Sequence, residues 1–219
     1  MPAGPFTMGC NAGDPGCAND AQPAHELQIS AFLVDRLEVQ VGDYQACMDA
    51  GACGPPMMPR ALPDDPTMPV TWVTLKQARN YCDWRGRRLP SEAEWEKAAR
   101  GDDERPFPWG DAEPDCTLAA LPNCGDRLQP AGTHPEGASP YGALDMAGNA
   151  WELVADYYGD DYYSRSPGSD PLGPDATGLN VVRGVALYAD TDSARVTRRQ
   201  ISVGDAGGAL AGFRCVEDE

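Results

Sequence analysis

An irregular α+β domain is the fold class that this sequence predicts, and three observations carry the prediction. Gly 24 and Pro 21 together make about a fifth of the 219 residues, with no Gly-X-Y period, so turns dominate over long elements. Helical patterning is confined to three short stretches. The remaining apolar residues fall into brief strand-like runs separated by long loops. A hydrophobic fraction of 42% is ordinary for a folded chain and excludes wholesale disorder. The length fits one large domain or two small ones, and the reading taken here is a single domain over 1–219.

The elements follow in order. Phe6-Thr7-Met8-Gly9 reads as a short strand and Asn11 to Asn19 as a loop. His25 to Val34 alternates well enough for one strand continuing toward Glu38-Val39. Gly42 to Ala50 reads as a short helix with Tyr44, Cys47 and Met48 on one face. The Pro- and Met-rich stretch 51–69 is a surface excursion rather than a linker, because neither flank has enough strand signal to stand alone. Leu75 to Arg85 is a helix with Ala78, Cys82 and Trp84 near one face. Ser91-Glu92-Ala93-Glu94, after Pro90, is a capping box that opens a helix through Trp95, Ala98 and Ala99 to Gly101. Short strands are expected at 142–144, 150–154, 181–183, 194–197 and 212–216.

Lys and Arg number 17 against 34 Asp and Glu, a formal charge of −17. That balance repels nucleic acid and anionic membrane surfaces, so neither is an expected partner. No apolar run approaches the roughly 18 residues of a membrane span. The chain opens on Pro2-Ala3-Gly4 without a charged or apolar leader, so any signal segment lies outside it. Of eight cysteines, six fall into the local pairs Cys10/Cys17, Cys47/Cys53 and Cys116/Cys124, and two more are Cys82 and Cys215. Zinc is the competing use, but there is no C-x2-C spacing and the only histidines are His25 and His134. Although eight cysteines allow 105 connectivities, the local spacing favours a disulfide framework and an extracytoplasmic location.

Several long motifs occur in series: Pro69-Val70-Thr71-Trp72, Tyr81-Cys82-Asp83-Trp84, Arg88 to Gly101, Pro108-Trp109-Gly110, Asp145 to Glu152 and Gly212-Phe213-Arg214-Cys215. Together with Pro2 to Gly9 they resemble, over residues 2–216, the formylglycine-generating (sulfatase-modifying factor) enzyme family. The resemblance implies an irregular C-type lectin-like fold that contains structural Ca²⁺. It also implies a Cys82–Cys215 disulfide, which leaves the three local pairs and no free thiol.

The family's enzymes oxidise a substrate cysteine to formylglycine with copper(I) held by two thiolates, which suits a soft cation. The matching stretch, Arg183 to Arg199, contains no cysteine. Thr191 and Val196 fall where the thiolates would be, so neither copper nor the reaction is expected. Cys47 and Cys53 are a poor relocated pair, lying on the first helix and its exit. Iron-dependent sulfoxide synthesis in related folds draws histidines from a partner helical-bundle domain. His25 reads as a half-exposed strand residue and His134 as a loop residue, so no three-histidine site is expected here.

The resemblance places Ca²⁺ on the Asp145 side chain, the Gly148 and Ala150 carbonyls and the Glu152 carboxylate, hard oxygen donors that suit the ion. A second family site lacks its asparagine, since Ala120 stands there. Asp102-Asp103-Glu104 and the Asp156–Asp161 run with Tyr157, Tyr158, Tyr162 and Tyr163 read as solvated loop faces, the tyrosines being alternatively the lining of a ligand groove. Arg195, Arg198 and Arg199 read as a buried ion-pair strand rather than an anion site. Three functions follow: a non-catalytic binding or accessory module for an unidentified protein, peptide or glycan; a formylglycine-generating oxidase; or a display protein whose 184–211 surface is diversified. The missing cysteines favour the first.

Overall fold

Ser91 starts the central helix, α3 (Glu92–Arg100), with both halves of the capping box formed. The Glu94 N–H donates to Ser91 Oγ at 3.2 Å and the Ser91 N–H to Glu94 Oε2 at 2.7 Å. The computed structural model describes residues 1–58, 62–125, 127–186, 194–203 and 210–219, and in it every residue of α3 is buried. The helices α1 (Val41–Asp49) and α2 (Leu75–Trp84) precede it. A second capping box opens α2, where Thr74 accepts from the Gln77 N–H and Gln77 accepts from the Thr74 N–H. The buried face of α2 is Leu75, Ala78, Tyr81 and Cys82. Trp84 lies off that face, at 39% exposure, because Tyr81 completes the aromatic set with Tyr44 and Phe213.

Eight strands form three sheets among the described residues. β1 (Gly4–Met8) pairs antiparallel with β2 (His25–Ile29), and β3 (Phe32–Val34) with β8 (Val216–Asp218). The third sheet runs β6-β5-β4-β7, from β4 (Trp151–Tyr157), β5 (Leu179–Arg183), β6 (Gln200–Val203) and β7 (Ala211–Gly212). Its β4–β7 pair is parallel and the others are antiparallel. The α+β class is therefore the observed one.

Several boundaries differ from expectation, each for a physical reason. The single strand 25–34 is two, because Ser30 gives its N–H and its hydroxyl to the Asp170 carboxylate, both at 2.8 Å, and the strands join different sheets. Residues 142–144 are irregular chain leaving a turn at 140–141, tied by Gly142 N–H to the Ser139 carbonyl and Ser139 N–H to the Ala143 carbonyl. Residues 194–197 are also turn rather than strand, and the strand lies at β6. Residues 212–216 split between β7 and β8, the chain crossing from one sheet to another through Phe213, Arg214 and Cys215.

Four disulfides link Cys10–Cys17, Cys47–Cys53, Cys82–Cys215 and Cys116–Cys124, leaving no free cysteine. Cations from α3 cover strand β1: Lys97 Nζ donates to the Pro2 and Gly4 carbonyls, and Arg100 to those of Thr7 and Gly9. Among the described residues no helix is long and apolar enough to cross a membrane.

The Cys82–Cys215 bond spans 133 residues and Cys116–Cys124 only 8. In the chain-entropy model these closures are worth about 5 and about 2.5 kcal/mol. Urea titration should therefore show the Cys82→Ala/Cys215→Ala double variant losing about twice the stability lost by Cys116→Ala/Cys124→Ala; equal losses would rule out that account.

Candidate functional site

The segment Asp145 to Glu152 leads into β4 through a turn that only certain residues can make. Asp145 (φ 58°) and Asn149 (φ 62°) adopt the left-handed conformation that Asp and Asn tolerate best among residues with a Cβ. Gly148 has φ 96°, and a Cβ there would lie 2.7 Å from the Ala120 carbonyl oxygen. The turn is then tied to distant chain. The Asn149 N–H donates to the Ala120 carbonyl, and its side chain bridges Gln129 and Glu38. Asp145 Oδ2 accepts the Gly132 N–H at 2.6 Å, and Glu38 Oε1 accepts the Ala150 N–H at 3.2 Å.

Glu152 and Arg214 form the charged floor, both wholly buried. Arg214 donates Nη2 to Glu152 Oε1 at 2.6 Å and Nε to Oε2 at 2.7 Å, and Oε2 also accepts the Trp95 indole N–H at 2.8 Å. The remaining guanidinium N–H groups reach the Asp35, Arg36 and Leu144 carbonyls. Three buried acids, Glu38, Asp145 and Glu152, thus surround a single guanidinium. Burial and the repulsion of Asp145 and Glu152 hold the Glu38 carboxyl well above the usual range. Burial raises Asp145 as well, against the stabilising Gly132 N–H.

This surplus of acidic groups over cations suits a hard cation, and carboxylate with carbonyl oxygen is calcium's donor chemistry. The oxygens are differently committed. Both of Glu152 are taken by Arg214 and Trp95, whereas the hydrogen bond to Asp145 from Gly132 engages Oδ2. No group of three or more His, Cys, Asp or Glu side chains arranged to hold a metal occurs among the described residues. Glu38 is the buried acid that sequence reasoning missed; its partner Asn149 is 111 residues away, and no local pattern announces it.

A second buried ionic cluster adjoins the first through Trp95, over whose ring the Arg183 guanidinium lies at 5.2 Å. Arg183 pairs with Glu92 at 2.9 Å and Glu96 at 2.6 Å, and Arg199 with Glu92 at 2.8 Å. Arg199 is thus the buried ion-pair member of its run, but it stands before β6 rather than on a strand, and Arg195 and Arg198 are only half-buried. Arg195 instead lies 5.1 Å over the Phe107 ring, which stacks on Trp109. Asp156, Tyr162 and Tyr163 are buried, which corrects the solvated-face reading of 156–163, while Asp160 and Asp161 are exposed. Tyr163 is drawn in by hydrogen bonds to Glu92 and from Arg183.

Val196 is a core residue whose N–H and carbonyl are spent on Pro106 and Arg183. Thr191 lies outside the described residues, as does much of 184–211. His25 is half-buried on β2, edge-on to Tyr163. His134 is buried and precedes a short 3-10 turn, Pro135–Gly137, without a side-chain cap bond to it.

The model of the sulfatase-modifying factor enzyme 1-like domain matches residues 1–219. A formylglycine-generating enzyme of Thermomonospora curvata is 28% identical over 282 residues, covering 100% of this chain and 92% of that protein. A hercynine oxygenase of Mycolicibacterium smegmatis is 33% identical over 189 residues; the match covers 71% of this chain but only 44% of that protein's length. The solved structure of PvdO from Pseudomonas aeruginosa is 26% identical with a TM-score of 0.87, covering 100% of this chain and 93% of that one.

Asp156 supplies a pH test. Its Oδ2 accepts the Glu92 N–H at the start of α3, while burial, then repulsion by Glu92, raises its carboxyl well above the ordinary value. The folded state therefore binds this proton more tightly than the unfolded state, so the contribution is fullest below the unfolded pKa and is lost as pH rises through the folded one. Asp156→Asn keeps an acceptor and carries no charge. It should raise the urea midpoint at pH 7 and lose that advantage near pH 4; a variant less stable than the parent at pH 7 would contradict this.

Proposed function

The chain belongs to the sulfatase-modifying factor enzyme 1-like family, and within it we propose a non-catalytic member, an exported binding or accessory module that recognises a protein, peptide or glycan. The observation that carries this reading is the complete pairing of its cysteines. Copper(I) oxidation of a substrate thiol, as the family resemblance describes it, needs two protein thiolates, and a disulfide sulfur is neither a thiolate nor a ligand of comparable softness. No shift of the sequence supplies a cysteine between Val185 and Ala211. The hercynine oxygenase match extends over less than half of that protein, so its activity does not transfer with the match.

Four disulfides point to an oxidising environment, and export follows as part of the same proposal. Calcium is the proposed structural ion, held by Asp145 with the carbonyls of Gly148 and Ala150 and with Glu152. The surplus of buried acid at the turn supports it. In this arrangement Glu152 serves two cations, Arg214 and the ion, while Asp145 offers the uncommitted oxygen.

Incubation with copper, reductant and oxygen should leave a Cys-x-Pro-x-Arg peptide unchanged by mass spectrometry. Titration of unfolded, unreduced protein should find about zero thiols. Aldehyde product above a no-protein control would falsify the non-catalytic reading.

A ligand of the native state present at 100 times its Kd adds about 2.7 kcal/mol, which at this size shifts Tm by roughly 5–10 °C. Chelator should lower Tm by that order. Asp145→Asn, which keeps the left-handed backbone and an acceptor for Gly132, should shrink the response. Identical melts with chelator and with excess calcium would end the calcium proposal and leave the binding role standing.

A further inference from the structure

A cleft of about 590 Å³ opens between the end of α2 and the start of α3, a volume within the range of binding pockets. Leu172, with the half-buried Ala31 and Ala155, supplies its apolar surface, and Leu172 is 72% exposed, the most exposed large hydrophobic side chain among the described residues. Five carboxylates line it against two guanidiniums. One guanidinium is already neutralised: Arg88 makes a two-bond pair with Glu94 at 2.6 and 2.7 Å and also meets Asp218. The other, Arg79, is tethered to the Ala155 carbonyl at 2.9 Å. Asp170 is held at the rim by its two hydrogen bonds from Ser30. Asp83 stands in the last turn of α2, where the carbonyl end of the helix adds to the negative potential. The cleft shares no residue with the 145–152 turn, so it stands whether or not the chain catalyses.

We propose that this cleft docks a basic peptide segment of a partner protein, with an aliphatic side chain between cationic ones. The acidic rim, in a chain of net charge −17, takes the cations, and the uncovered Leu172 takes the aliphatic group. A bare polyamine makes no use of Leu172, and an anionic segment meets the rim unfavourably.

Fluorescence anisotropy with a labelled Lys-Leu-Lys-Lys-Leu-Lys peptide tests it, against a Glu-Leu-Glu-Glu-Leu-Glu control. Binding is expected for the basic peptide alone, weakening with salt. Leu172→Ser and Asp83→Lys, both surface changes, should each weaken it tenfold or more, and Glu113→Lys, an exposed acid outside the cleft, less than twofold. Equal weakening by Glu113→Lys would reduce the effect to adsorption on an acidic surface and overturn the proposal. So would no binding at millimolar peptide, or spermine binding as tightly as the peptide and indifferent to Leu172→Ser.

Discussion

The helix α3 is buried on all sides although five of its nine residues, Glu92, Glu94, Glu96, Lys97 and Arg100, are ionisable. A buried charge without a partner costs several kcal/mol, so each must be met by another part of the chain. Glu92 and Glu96 call in Arg183 of β5, Glu92 also Arg199 before β6, and Glu94 holds Arg88 on the connection from α2. Lys97 and Arg100 fasten β1, and Glu96 accepts the Gly9 N–H at 2.7 Å. The sheets are positioned by what this helix needs.

The turn at 145–152 repeats that logic at smaller scale. Arg214 lies between β7 and β8 and Glu152 on β4, so their pair joins two sheets at the point where the Trp95 indole of α3 also arrives. Glu152, one of the residues proposed to hold calcium, is therefore part of the fold's own ionic skeleton. Loops outside that skeleton can change without unsettling the C-type lectin-like form, because function lives in sites carried on a fold rather than in the fold itself.

What could be read from the sequence was local. The capping box of α3 and the three near cysteine pairs declare themselves within ten residues, because a cap or a small loop is closed by neighbours. The Cys82–Cys215 bond, 133 residues long, came only through family resemblance. The burial of α3 was illegible, since Glu-x-Glu-x-Glu-Lys reads as a solvent face until Arg183 and Arg199, 87 to 107 residues later, fold onto it. Residues 194–197 alternate like a strand, but Arg183 and Pro106 claim the main-chain groups that a strand would have offered. Glu38 carried no signal for the same reason.

The cations over β1 have an effect on behaviour in company. A two-stranded sheet with an open edge is a template on which another chain can add a strand, and such edges seed aggregation. On the outward side of β1, the Thr7 carbonyl is already taken by Arg100 and Pro5 has no N–H to give. The side chain that anchors the amino-terminal segment therefore also removes part of what a stray strand would need to pair with this edge.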